Sequence, residues 1–264
     1  MNIVPQTLAI EVGDAINRFI NENDRFRNWN DPEVQTVVRM IEKLQKVDAR
    51  EAFVRFGTLA AICGNVDEVF EYFDRALRLP GELETKHEFF VSLANTGLYS
   101  KAQEVGNWLL DPKRGFFPKV WQRAISLGKI LEVWNRLPEA RRTYPDLSQI
   151  DFSTVDNAVV VMSTHGLSDQ DIGSVLDLLG EVQRAHRIMF SGTLASILRV
   201  MRPPEDPTYL YFTIPLEAGV DEIHAMNRAL ATLVVERLPE GVFPQGMVAS
   251  FGKASLTKEL LAAA

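Results

Sequence analysis

Apolar residues recur at three- and four-residue steps over the first two thirds of the chain, a pattern that predicts a series of amphipathic helices. Residues 6–20 carry the first stripe. Asp31 followed by Pro32 predicts the N-cap and first turn of a second helix. The clearest pattern runs over residues 53–80, where Gly64 separates two short stripes. Because glycine readily takes the left-handed conformation at a helix end, this stretch is predicted to be a helical hairpin.

Further glycines follow at similar intervals and predict more hairpins of the same kind. Gly97, Gly128 and Gly166 lie 33, 31 and 38 residues after the preceding turn glycine. The corresponding units are residues 84–112, a third unit closing at Pro138, and residues 153–187 with Ser168 as an N-cap. Two interpretations fit this drifting spacing: stacked repeats, or an ordinary bundle of antiparallel helix pairs.

The hairpin over residues 50–80 resembles a tetratricopeptide repeat, and the resemblance weakens over residues 84–187. The matching positions combine large residues, small residues and a turn glycine, namely Phe53, Phe56, Gly57, Ala60, Gly64, Val69, Phe73, Ala76 and Pro80. The resemblance implies close helix approach at the small positions and a right-handed solenoid. Such arrays bind protein partners on the concave face formed by the first helix of each unit.

The rhythm changes after residue 190, where β-prone segments replace the helical stripes. Residues 194–201 and 208–216 predict two strands separated by a proline-rich loop. A strongly amphipathic helix and a last strand at residues 246–252 follow. The predicted fold class is α+β: a helical hairpin array over residues 1–190, a small β-β-α-β domain over residues 191–255, and a tail over residues 256–264.

Charge and cysteine content narrow the classes of partner and compartment. Residues 1–150 carry 20 basic and 21 acidic side chains, a net charge of −1, whereas residues 151–264 carry 8 and 14, a net charge of −6. The acidic C-terminal part argues against nucleic acid as a general partner. Cys63 is the single cysteine, which excludes an internal disulfide. With no signal peptide pattern and no membrane-spanning run, a cytoplasmic protein without membrane contact is expected.

Motifs for catalysis or cofactor binding are absent from the sequence. The four histidines form no metal-ligand spacing, so no metal site is predicted. The segment GMVASFGKAS has five residues between its glycines and Ala254 where a phosphate loop needs serine or threonine, so no nucleotide site is predicted either. No cofactor is expected.

The predicted function is therefore non-catalytic binding of a protein or peptide on the concave face, as an adaptor, chaperone-like or regulatory protein. The exposed first-helix positions of the repeats give the candidate contact residues, which are Arg55, Thr58, His87, Glu88, Val91, Asn95, Lys119 and Gln122. Self-association through an edge strand of the C-terminal domain is a further expectation.

Two other classes of function remain open from the sequence. One is an enzyme whose site lies between the helical array and the C-terminal domain. The other is a nucleic-acid binder that uses residues 113–142, where basic side chains such as Arg114 and Arg123 alternate with aromatic residues such as Phe117 and Trp121.

Overall fold

The structure is a computed structural model that describes residues 5–22, 25–189, 196–205, 207–238 and 244–254. Within these ranges the chain is mostly helical, with a small three-stranded sheet near its C-terminal end, which confirms the predicted α+β class. The helices and strands of the described residues are α1 (Pro5–Glu22), α2 (Pro32–Gln45), α3 (Ala49–Cys63), α4 (Val66–Leu77), α5 (Glu82–Asn95), α6 (Tyr99–Leu109), α7 (Phe117–Ser126), α8 (Ile130–Thr143), α9 (Ser153–His165), α10 (Asp169–Ala185), β1 (Ile197–Met201), β2 (Tyr209–Leu216), α11 (Val220–Arg237) and β3 (Met247–Lys253).

Helix ends fall largely where the capping residues predict them. The Asp31 side chain accepts a hydrogen bond from the N–H of Glu33 at the start of α2. Ser168 forms a capping box with Asp171 at the start of α10. The four predicted turn glycines all have φ between 65° and 83°. The predicted hairpin turns are therefore present.

The predicted helix end at Pro138 is wrong, because α8 continues through this proline to Thr143. Proline lacks an N–H and so leaves the carbonyl four residues earlier without its helical donor. Leu137 and Ala140 are both buried on the same side of α8. Their packing on either side of the proline favours continuation of the helix over a break.

The described residues form two compact units. The first contains α1–α5 together with residues 187–189, and the second contains α6–α11 and the sheet. Helices α6–α10 therefore group with the sheet. The sequence-based boundary after residue 190 stays a prediction, since compactness alone does not identify a domain that folds independently. The predicted tail, residues 256–264, lies outside the described residues.

In the first unit, close packing of α3 against α4 depends on Gly57. A Cβ atom at Gly57 would lie 2.6 Å from Cε2 of Phe73, a side chain with no solvent exposure. Phe73 stacks on Phe89 of α5 with ring centroids 4.8 Å apart. The small residue thus lets the aromatic side chain connect three helices.

Residues 187–189 complete the first unit by pairing with the segment before α2. Ile188 forms an antiparallel bridge with Arg25, and the N–H of Phe26 donates to the carbonyl of Arg187 at 2.9 Å. The Arg187 side chain donates to the carbonyls of Phe26 and Arg27. These bonds hold the segment even though Arg187 has a positive φ of 55°.

Carboxylates of helix α10 accept hydrogen bonds from backbone N–H groups at the N-termini of two other helices in the second unit. Asp169 Oδ1 and Oδ2 accept from the N–H groups of Leu131 and Glu132 in α8, at 2.9 and 3.0 Å. Asp177 accepts from the N–H of Ser100 in α6 at 3.0 Å. Burial raises the pKa of the Asp169 carboxyl, while the α8 N–H groups and Lys129 act in the opposite direction. The acidic residues of α10 thus fix the positions of two neighbouring helices.

The sheet has the order β1-β2-β3, with β1 antiparallel and β3 parallel to β2. Helix α11 supplies the connection that a parallel pair requires. Along β2, Leu210, Phe212 and Ile214 are buried, whereas Tyr209 and Tyr211 are half-buried. The predicted order of strand, strand, helix and strand is confirmed, and β1 and β3 are the two edges of the described sheet.

Candidate functional site

The predicted concave-face residues of the first unit lie on α3 and α5. Thr58 is buried and donates to the carbonyl of Val54 at 3.0 Å, and Asn95 is also buried. Arg55 is half-buried and forms an ion pair with Glu51 at 2.7 Å. Thr58 and Asn95 therefore add nothing to an exposed face, because helix packing has enclosed them.

The remaining predicted contact residues are accessible to different degrees. His87, Glu88 and Val91 are half-buried on α5 of the first unit. Lys119 and Gln122 are exposed on α7 of the second unit. Binding through these residues stays a prediction.

The basic and aromatic residues of 113–142 are largely engaged within the second unit. Phe117 has no exposed surface, and Trp121 packs on Phe152 with ring centroids 4.7 Å apart. The Arg114 guanidinium lies 3.9 Å from the ring centroid of Trp108. Stacking of a nucleic-acid base requires an open ring face, which neither Phe117 nor Trp121 offers.

A different surface of the second unit has the geometry of a binding site. A groove of about 470 Å³ runs between β1 and α9, and we term it the β1–α9 groove; it is lined by Thr154, Asn157 and Leu198–Arg202. Four of these residues, Leu198–Met201, thus come from one edge strand, and Arg202 directly follows it. All of β1 is half-buried, without the fully buried positions seen on β2. An edge strand carries backbone N–H and C=O groups that no neighbouring strand pairs with, and these groups are available to a ligand.

Arg202 and Asn157 connect the two walls of the β1–α9 groove. Arg202 Nη2 donates to Asn157 Oδ1 at 2.7 Å. Asn157 lies in the first half of α9, and Arg202 directly follows β1. This bond fixes the distance between helix and strand at one end of the groove, while the exposed guanidinium keeps further donors for a ligand.

Arg199 places a second guanidinium beside the β1–α9 groove. Its Nη2 atom is shielded from solvent and has no hydrogen-bond partner within the described part of the chain. A buried donor without an acceptor costs free energy, and the cost is larger for a charged group. Among the described residues, no acidic side chain lines the groove. The described lining therefore offers positive charge and no carboxylate to balance it.

A smaller cavity of about 300 Å³ extends the groove along α9 and shares Asn157, Val200 and Arg202 with it. Its far end contains His165, whose Nε2 lies 3.0 Å from the carbonyl oxygen of Thr208. Because a carbonyl only accepts, this ring nitrogen donates. Val160 lines the same cavity with 65% of its surface exposed. The extension thus adds apolar surface next to Arg202.

The opposite edge of the sheet differs from β1. Asn227 of α11 makes two hydrogen bonds with the backbone of Phe251 and so covers part of the β3 edge. An apolar groove of about 460 Å³ lies beside it, between α11 and β3, with Val235 and Val248 exposed. This second groove has exposed apolar side chains, as a contact surface does. Part of the strand edge beside it, however, is already hydrogen-bonded to the Asn227 side chain.

Sequence reasoning missed Asn157, Arg199 and Arg202 as site residues. The one signal available was that two of the eight basic residues of the acidic C-terminal part lie three positions apart around a predicted strand. The sequence of neither segment predicts that β1 and α9 lie side by side.

Comparisons with known proteins do not extend this picture. No family model matches the chain, and neither the curated proteins nor the solved structures include a match. Among the helices of the described residues, none has the length and apolar character needed to span a membrane.

Proposed function

We propose that this protein binds an extended segment of a partner protein, which adds to β1 as a further strand in the β1–α9 groove. The observation that carries the proposal is the groove floor, in which four consecutive edge-strand residues, Leu198–Met201, and the adjoining Arg202 face a helix. Strand addition of this kind takes affinity from main-chain hydrogen bonds and specificity from pockets for the alternating side chains. The protein would act as an adaptor or regulatory protein.

The state of the two sheet edges supports β1 as the binding edge. The Asn227 side chain already occupies the backbone groups of Phe251 on β3. On β1, the nearest wall is α9, and the space between them is open enough to form the groove. A ligand strand needs such a gap, since neighbouring strands lie about 4.8 Å apart.

The helical part of the chain supports the same class of function. The hairpin of α3 and α4 resembles a tetratricopeptide repeat, and Gly57 and Phe73 make the close contact that this resemblance implies. A right-handed solenoid of such hairpins, a second contact surface on its first helices and a cytoplasmic location belong to the proposal.

Selection of peptides from a displayed random library tests the proposed function. The groove-filling variant Asn157→Trp places an indole between α9 and β1, whereas Ser163→Trp places it on an exposed position of the same helix outside the groove. We expect peptides selected on the wild type to bind Ser163→Trp equally and to lose binding to Asn157→Trp. Equal binding to both variants, or no enriched peptide, would contradict the proposal.

A further inference from the structure

We infer that the partner segment is acidic and carries two carboxylates three residues apart, one for Arg199 and one for Arg202. This inference rests on the proposed function, because it assigns the chemistry of the segment that adds to β1. The protein has a net charge of −7, yet the described residues that line this groove include two arginines and no acidic side chain. Local charge of opposite sign to the whole protein selects for a ligand of complementary charge.

Arg199 contributes a guanidinium with one unsatisfied donor, its Nη2 atom. Nη2 is enclosed and has no partner among the described residues. A carboxylate accepts two N–H donors side by side, the geometry in which arginine binds most strongly. A ligand carboxylate in the groove therefore supplies the acceptor that the folded chain does not provide.

Arg202 provides the second guanidinium, whose hydrogen bond within the protein is to a neutral amide. Its Nη2 donates to Asn157 Oδ1, and the side chain is exposed. Hydrogen bonds between two charged groups are stronger than those to neutral acceptors. A second carboxylate at this end of the groove thus binds an arginine that is already held in place by Asn157.

The spacing of the carboxylates follows from strand geometry. Arg199 and Arg202 are three positions apart, which corresponds to about 10 Å along a strand. Side chains directly opposite each other on adjacent antiparallel strands have Cβ atoms about 5 Å apart. A strand paired with β1 therefore places residues i and i+3 opposite the two arginines, on opposite faces of the sheet.

A peptide fits these observations better than a nucleic acid does. Both carry anionic groups, but only a peptide supplies the alternating N–H and C=O groups that pair with a strand edge. The net charge of −6 over residues 151–264 also repels the dense phosphates of a polynucleotide. We therefore assign the groove to acidic peptide segments.

Fluorescence anisotropy with designed nonapeptides tests the inference on the full chain. The test peptide TVEVTEVTV has its glutamates three apart. A first control replaces both glutamates with glutamine, and a second, TVEVEVTVT, has the same composition with the glutamates two apart. Arg199→Gln and Arg202→Gln remove one groove charge each. Arg228→Gln removes an exposed charge on α11 as the matched control.

We expect each groove substitution to weaken binding of the test peptide about fivefold, as for an accessible ion pair. Binding of the glutamine peptide should not change with either substitution, and Arg228→Gln should leave all affinities unaltered. The peptide with shifted glutamates should bind more weakly than the test peptide.

The outcomes separate this inference from the proposed function. If glutamate and glutamine peptides bind equally and both lose binding to Asn157→Trp, strand addition stands and the acidic preference is wrong. If none of the peptides binds, the proposed function fails together with the inference. Tighter, arginine-dependent binding of a labelled single-stranded oligonucleotide would overturn the assignment to peptides.

Discussion

The side-chain amide of Asn227 pairs with the backbone of Phe251 as a neighbouring strand would. Asn227 Nδ2 donates to the carbonyl of Phe251 at 3.0 Å, and the N–H of Phe251 donates to Asn227 Oδ1 at 2.9 Å. Phe251 is 3% exposed and Asn227 is half-buried, so these bonds are partly shielded from water. One residue of α11 thereby protects part of the β3 edge, and this protection distinguishes β3 from β1.

Asn227→Ala should destabilise the second unit by about 2 kcal/mol, because two partly buried backbone groups of Phe251 lose their partners. Asn227→Asp should also destabilise it, since a carboxylate accepts from the N–H but cannot donate to the carbonyl. Urea unfolding measures both effects. Arg228→Ala, on the next and exposed position, is the control and should change the free energy of unfolding little. Wild-type stability in Asn227→Ala would show that the pairing contributes nothing.

Gly57→Ala and Gly13→Ala should have opposite effects on the stability of the first unit. At Gly57 the new Cβ would lie 2.6 Å from Cε2 of the enclosed Phe73, whereas at Gly13 the nearest atom is Arg55 Nη2 at 3.5 Å, an ordinary contact. Overpacking costs about 1–3 kcal/mol, which exceeds the helical gain from alanine of about 1 kcal/mol. Gly57→Ala should therefore lower the free energy of unfolding and Gly13→Ala should raise it. Denaturant unfolding monitored by circular dichroism checks the signs, and stabilisation by both substitutions would contradict the close approach.

Cys63 should make the first unit less stable at alkaline pH. Burial raises the pKa of the Cys63 thiol to about 12, with Glu68 acting in the same direction. The unfolded chain loses this proton near pH 8.5, the ordinary thiol value. The stabilising contribution is therefore complete below about pH 8.5 and is lost as the pH rises towards the pKa of the folded state.

The measurement for Cys63 is the difference in unfolding free energy between wild type and Cys63→Ala from pH 7 to pH 11. The wild type should lose stability faster above about pH 9. Other groups titrate in both proteins and cancel in the difference. A parallel check is the rate of thiol modification by a disulfide reagent at pH 8, which should be slow until urea unfolds the chain. Rapid modification of the folded protein would refute the burial of the thiol.

Asp169→Ala should destabilise the second unit by about 2 kcal/mol, because the N–H groups of Leu131 and Glu132 lose a shared acceptor at the start of α8. The measurement is again the free energy of unfolding in urea. Gln170→Ala, at the adjacent exposed position, is the control. If the two substitutions had the same small effect, the carboxylate would not be needed to hold α8.

Local structure was largely predictable for this chain. Asp31, Gly64 and Ser168 have backbone and side-chain properties that act within a few residues, so the helix ends they mark are found where expected. Pro138 is the exception, because burial of Leu137 and Ala140 outweighed a local preference. The alternation along β2 predicted its buried face for the same local reason.

The candidate site was not predictable in this way. Arg199 and Asn157 are separated by 42 positions, and neither segment carries a motif that predicts contact with the other. Thr58 and Asn95 were predicted to lie on the exposed concave face, because each would be exposed on an isolated helix. In the folded unit, neighbouring helices bury both side chains. Solvent exposure depends on what packs against a residue, and that depends on the whole unit.

The sequence by itself determined the helices, the strands, their order and most of their ends, because propensity, capping and hydrophobic periodicity act over short distances. Only the tertiary structure decided that β1 meets α9 across an open groove while Asn227 covers part of β3. It also decided that Arg199 Nη2 has no acceptor among the described residues and that Asp169 accepts hydrogen bonds from the start of α8. These features arise from contacts between segments distant in the chain, whose free energies no local pattern encodes.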